Sequence, residues 1–194
     1  MFKDSADKIT QILVESNIIK SDERELYSYG FNQGLTILLN LLTALVIGLF
    51  FNCVLEIIFF LTAYIPLRSY AGGYHAKTPM ICYYLSIFLL VIVESAVKYL
   101  DLNFFEFLVV YFITSAVILN LSPIEDLNKP LDGIECKTYK RKVINIWITE
   151  SIILWVLFTL DFKIYAFCIL IVYFVLTIML VLGLLKNCLI AYRK

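Results

Sequence analysis

His75 and Cys82 are the two side chains in this sequence whose types and spacing could carry covalent chemistry. His75 is the only histidine among 194 residues. It lies in Arg68-Ser69-Tyr70-Ala71-Gly72-Gly73-Tyr74-His75-Ala76-Lys77-Thr78-Pro79, a polar, glycine-rich break between two strongly apolar stretches. Cys82 stands at the mouth of the second stretch. A thiol and an imidazole placed together form a nucleophile with its base. Thr78-Pro79 is a helix-start signal, because threonine can cap a helix and proline is tolerated at its first position. Cys82 then falls in the first turn or just past it, where the positive end of the helix dipole stabilises a thiolate.

The spacing also sets a condition. Along one straight helix, seven residues would hold His75 roughly 10 Å from Cys82, whereas proton transfer needs about 3 Å. Pro79 and the Gly72-Gly73 pair argue against a straight helix. The histidine is expected on a loop or half-helix that folds back over the start of the next span, with the glycines allowing the close approaches. On residue types alone, a lone loop histidine is more often structural than catalytic. Arg68, just beyond Pro66, could bind a peptide carboxylate or a lipid phosphate. It could equally be a boundary arginine whose head reaches the interface.

The elements that must position these residues are membrane spans. The chain is 61% hydrophobic with a mean hydropathy of +0.87, well above a soluble domain. Runs long enough to cross a bilayer cover 80–100, 104–121, 144–160 and 164–185. As one helix, 34–67 would be about 50 Å long, against a hydrocarbon core of roughly 30 Å. It is therefore read as two short spans meeting near Phe51-Asn52-Cys53. The expected fold is an all-α polytopic membrane protein with six transmembrane helices, forming one membrane-embedded domain over 1–194. Residues 68–82 make its catalytic loop and the start of the third span. Within 1–28, Phe2, Ala6, Ile9, Ile12, Leu13 and Ile19 recur near helical spacing, which reads as an N-terminal amphipathic interfacial helix. A solvated leader is the alternative. That segment lacks the compact apolar run of a cleavable signal peptide.

Charge fixes the orientation. With six spans and the N-terminus inside, segments 1–30, 68–79, 122–143 and 186–194 hold all but two of the 16 Lys/Arg. The outer loops hold only Lys98 and Lys163. Five spans would reverse most of this. The positive-inside rule gives six, with both termini, His75 and Cys82 on the cytoplasmic side of the cell membrane. The formal net charge is zero and there is no basic block, so nothing points to nucleic acid. Cysteines 53, 82, 136, 168 and 188 show no CxxC pair, so neither a zinc site nor a disulfide framework is expected. No nucleotide motif and no other cofactor signal occurs.

Weaker candidates remain. Glu94 and Lys98 stand four apart in the order that pairs best on a helix, so structural pairing or a water-accessible rim is expected. Gln33, at the inner end of the first span, is a candidate oxyanion donor or histidine orienter. Lys129, Lys137, Lys140, Arg141 and Lys142 make 122–143 basic, either to set topology or to attract an acidic peptide tail. Short spans in a small polytopic chain suggest a homodimer.

The element Arg68-x-x-Ala71-Gly72-Gly73-x-His75-Ala76 followed by Cys82 resembles the AgrB family, membrane cysteine endopeptidases of Gram-positive quorum-sensing systems. Gly30-Phe31-x-Gln33 before the first span resembles it too. So does Ser122-Pro123 followed by Asn128-Lys129-Pro130-Leu131. Length and hydropathy are similar over essentially the whole chain. The resemblance implies His75 and Cys82 as catalytic residues; Arg68, Gly72, Gly73, Gln33 and Lys129 are candidates for substrate-binding or supporting roles. It implies an AgrD-like propeptide as partner, whose C-terminal tail is removed through an acyl-thioester on Cys82 before a propeptide side chain closes a thiolactone. No metal or cofactor is implied. The competing readings are a small peptide transporter without covalent catalysis and a non-enzymatic membrane scaffold.

The orientation is testable on intact cells. In a cysteine-free variant, Asn128→Cys should resist an impermeant thiol reagent added from outside; labelling there would overturn the six-span arrangement.

Overall fold

Asn52 divides the long apolar stretch after Arg24. It adopts the left-handed conformation (φ 57°), which ends a helix, and the amide of Cys53 returns to Gly48 O at 2.9 Å. The computed structural model describes residues 2–74, 76, 78–125 and 131–192. His75 and Lys129 therefore lie outside the described residues. Seven α-helices run through the described chain: α1 (Lys3–Glu15), α2 (Arg24–Phe51), α3 (Val54–Ala71), α4 (Pro79–Tyr99), α5 (Phe104–Leu121), α6 (Gly133–Thr159) and α7 (Lys163–Tyr192). Six are long and apolar enough to cross a membrane. The two spans expected before residue 67 are α2 and α3, joined at Asn52-Cys53; α3 is short at 18 residues, but α2 begins at Arg24 and runs for 28. No strand occurs among the described residues.

Some boundaries differ from the hydropathy reading, because caps end helices and apolar composition does not. Asp132 and Glu135 form a capping box that starts α6 at Gly133, well before Ile144. The basic first turns of α6 thus extend out of the apolar zone. Arg68–Ala71, read as part of a loop, are the last turn of α3. The N-terminal helix stops at Glu15. There Asn17 is left-handed (φ 53°), and the amides of Asn17 and Ile18 return to Val14 O and Leu13 O. Ile19 lies beyond it.

Helix α1 docks on the polar start of α2. Its small residues Ala6 and Thr10 are fully buried, while Ile9 and Ile12 stay exposed for a lipid surface. The Phe2 amide donates to Asn32 Oδ1 at 3.0 Å, and the Ser28 hydroxyl donates to the Asp7 carboxylate.

Helix α7 is the centre of the bundle. Its most apolar stretch is 56% buried, against 11–28% in the other spans. Around it runs a short polar chain. Ser151 Oγ and Tyr173 Oη lie 3.1 Å apart, Tyr173 Oη donates to Trp147 O at 3.2 Å, and Trp147 Nε1 donates to Ser115 Oγ at 3.1 Å. Such bonds hold α5, α6 and α7 together where hydrophobic attraction between helices is weak. The expected Glu94–Lys98 pair is not made. Glu94 is turned inward at 1% exposure with the Cys53 thiol beside it, while the Lys98 ammonium lies over the Tyr99 ring. At this position the inward packing of α4 outweighs an exposed pairing that is worth only tenths of a kcal/mol.

The α2–α3 hairpin depends on close approach at Gly48, where a Cβ would meet Val54 Cα at 3.1 Å. Gly48→Val should lower the thermal stability of detergent-solubilised protein by about 1–3 kcal/mol through overpacking. Gly30→Val and Gly34→Val, at positions with nothing within 4 Å, should change it far less; equal effects at all three would sink the account.

Candidate active site

Cys82 is placed by its helix cap. Thr78 is extended (φ −130°, ψ 148°), its side chain accepts from the Ile81 amide at 3.4 Å, and Pro79 opens α4. The Cys82 amide makes the first intrahelical bond of α4, to Thr78 O at 3.1 Å. Its thiol is therefore one turn into the helix, as Thr78-Pro79 predicts, and it is exposed on the bundle surface. Next to it, Tyr83 Oη meets Thr43 Oγ1 at 2.9 Å and ties the start of α4 to α2.

The backbone before His75 is pinned from three sides. The Ile124 amide donates to Ala71 O at 2.9 Å, and the Gly73 amide donates to Ile124 O at 3.4 Å, a short parallel bridge between Gly72 and Ile124. The Tyr74 amide donates to Met179 O of α7 at 2.8 Å. From α3, the Arg68 guanidinium donates to the carbonyls of Gly72 and Tyr74. Irregular backbone at the edge of an apolar bundle needs such partners, since lipid supplies none.

Glycine is required at this crossing. Gly72 and Gly73 both have positive φ (71° and 112°). A Cβ on Gly73 would lie 2.8 Å from Met179 O, and one on Gly183 would lie 2.7 Å from the Gly73 carbonyl carbon. Gly183 is thus the notch in α7 that seats the loop.

The Tyr64 phenol, one turn before Arg68 on α3, lies close to the Arg68 guanidinium and within electrostatic reach of Cys82. The end of α3, the pinned loop and the first turn of α4 therefore form one neighbourhood. It holds a thiol, a phenol and a guanidinium, with the histidine-bearing segment leaving from Tyr74. No group of three or more His, Cys, Asp or Glu side chains that could hold a metal ion occurs among the described residues.

The family model for Accessory gene regulator B (AgrB) matches residues 6–187. The chain belongs to the AgrB family. Two AgrB-like proteins of Clostridium perfringens, from strains SM101 and 13, are 28% and 27% identical to it. The matches extend over 72% and 71% of this chain and span 66% and 63% of those proteins, just under two thirds of their length. No solved structure matches the chain.

Within this AgrB-family chain the sequence candidates separate. Arg68, Gly72 and Gly73 come together in the loop after α3, and Cys82 stands one turn into α4. Arg68 uses its guanidinium on the loop's own carbonyls. Gln33 is exposed on α2 and has no part in this cluster, while its neighbour Asn32 holds the N-terminus. Cys53, Cys136, Cys168 and Cys188 are elsewhere: Cys53 at the α2–α3 turn, Cys136 in the first turn of α6, and Cys168 and Cys188 on α7. Tyr64, Ile124 and Gly183 are site residues that the sequence reading missed. Tyr64 could have been found from its spacing of four to Arg68, which puts both on one helix face. Gly183 and Ile124 carry no such signal, because their roles arise between segments far apart in the chain.

The Arg68 clamp is testable without an activity assay. Lysine cannot serve two carbonyls in a fixed fork, so Arg68→Lys should speed hydrogen exchange in the peptide covering residues 70–79 and leave α5 and α7 peptides unchanged. Gly183→Val should do the same by displacing the loop; unaltered exchange in both would remove the clamp.

Proposed function

We propose that the chain is a membrane cysteine endopeptidase and cyclase acting on an AgrD-like propeptide, with Cys82 as nucleophile and His75 as its base. Both termini and the site lie on the cytoplasmic side, following the distribution of Lys and Arg. The observation that carries the reading is the position of Cys82. It stands one turn into a capped helix, next to the Tyr64–Arg68 end of α3, at the exit of the pinned Gly72-Gly73 loop that leads into His75. Family membership supports the same reading.

In this mechanism His75 accepts the Cys82 thiol proton, and the thiolate attacks the carbonyl at the tail junction. The C–N bond breaks, the departing amine takes the proton from His75, and the propeptide core is left as a thioester on Cys82. A thiol within the propeptide then gives its proton to His75 and attacks that thioester. A new ring thioester forms as Cys82 leaves as thiolate. One thioester replaces another, so no nucleotide is consumed. A tethered nucleophile prevails over water through its effective concentration, provided water is kept from the site. Arg68, Gly72 and Gly73 position the histidine-bearing segment. Lys129 and Gln33 are candidates for holding the propeptide.

Cys82→Ala should reduce tail cleavage to background, and His75→Ala should lower it by about a hundredfold or more. Both variants should still insert in the membrane. Changes at Cys53, Cys136, Cys168 and Cys188 should leave activity largely intact. A propeptide lacking its ring-forming nucleophile should accumulate as a hydroxylamine-labile adduct on Cys82, with the mass of the propeptide minus its tail. Release of that propeptide as a free acid with no adduct would leave a simple peptidase. Transport with Cys82 never modified would leave an exporter.

A further inference from the structure

The first turns of α6 carry a second set of charges, separate from the candidate active site. Four cations lie there in sequence and differ in what they do. Lys140 Nζ donates to Leu119 O and to Ser122 O, so it closes the carbonyl end of α5. Lys142 turns the other way, with its ammonium 4.4 Å from the centroid of the Tyr70 ring and 3.3 Å from its hydroxyl. Lys137 and Arg141 remain. They are four residues apart, so they share one face of α6, and both are exposed. Among the described residues neither has an ion pair or hydrogen bond. The nearest acids on α6, Asp132 and Glu135, are occupied in its capping box.

These two cations line an open groove of about 490 Å³ between α6 and the end of α5, with Pro123, Cys136, Lys140 and Ile144. Among the described residues no acidic side chain lines it. The groove between α1 and α2 is different, since Asp7 and Glu25 balance Lys3 and Arg24 there. The bonds from Lys140 to the last carbonyls of α5 set Lys137 and Arg141 level with the end of a membrane span. Below them on the same face, Ile144 is followed by Ile148 and Ile152, which are 44% and 60% exposed. The pattern is two cations at the boundary with no partner among the described residues and an apolar stripe running from them into the hydrocarbon.

We propose that this groove binds one anionic phospholipid. Its phosphodiester sits on Lys137 and Arg141, and an acyl chain lies along Ile144, Ile148 and Ile152. Arginine suits a phosphate through its planar fork, and lysine adds a point charge. Basic pockets between spans at an anionic leaflet are where such headgroups are held. An acidic peptide would satisfy the two cations but not the stripe, which continues into the bilayer.

The test is native mass spectrometry of the full chain released from detergent carrying equal phosphatidylglycerol and phosphatidylcholine of matched chains. The wild type should retain phosphatidylglycerol preferentially. Lys137→Gln with Arg141→Gln should reduce that retention about tenfold, as should Ile148→Asn in part. Lys142→Gln and the charge-preserving Arg141→Lys with Lys137→Arg should retain it. The free headgroup, glycerophosphoglycerol, should not displace the lipid at equal concentration. Should the double variant fail to fold, Arg141→Gln alone and loss of retention by the wild type at rising salt test the same point. Equal retention of the two lipids, or unchanged retention in the Lys137/Arg141 variants, overturns the proposal. Displacement by free headgroup, or by an acidic peptide at equal concentration, assigns the groove to a water-soluble anion and overturns it as well.

Discussion

Every backbone amide and carbonyl at the edge of a lipid-solvated bundle has to find a partner inside the protein, and in this chain that requirement falls hardest on residues 72–74. There α3 has ended and α4 has not begun. The chain meets the requirement by bringing three distant segments to the loop: Ile124 after α5, Met179 on α7 and Arg68 on α3. Because these partners are backbone groups and one fixed guanidinium fork, the loop has a defined path. Tyr74, the residue before the only histidine, is thereby held on α7.

That solution needs close approach, which explains the distribution of glycine near the site. Gly72 and Gly73 supply positive φ, and Gly183 removes the side chain that would block the loop from α7. The central place of α7 follows from the same packing. It receives the loop at Met179 and Gly183, carries the buried Tyr173 that bonds to α6, and presents a nearly continuous buried face from Cys168 to Leu180. Helix α4, by contrast, is fixed at its start by the Thr78 cap and the Tyr83–Thr43 bond, while Phe88 and Ile92 further along remain exposed. The nucleophile candidate is therefore anchored at the end of the helix where it sits.

Charge organises the same membrane face. Arg68 closes the loop, Lys140 closes α5 and Lys142 rests on Tyr70 of α3. These cations would read alike in a topology count, yet each has its own structural task. Lys137 and Arg141 differ from them in having no partner among the described residues, which is why the lipid proposal rests on them. Inside the bundle the order reverses: Glu94 and Glu150 are buried and have no cation partner among the described residues. The proposed peptidase chemistry assigns them no role.

The sequence by itself determined the class of protein, the six spans, the break at Asn52-Cys53, and the cap that places Cys82. These are local matters. Hydropathy, span length and capping residues act within one segment, and the positive-inside count needs only the order of segments. The sequence also isolated the histidine–cysteine element as the chemistry to follow. Tertiary structure decided what Arg68 holds, which of the four cations in the first turns of α6 bond within the described residues, and that Glu94 turns inward instead of pairing with Lys98. It also supplied Tyr64, Ile124 and Gly183. Each of those depends on which helix lies against which, and on distances set by packing between segments as far apart as residues 73 and 183. No period or motif in one stretch of sequence encodes such a contact, because its energy exists only once both stretches are in place.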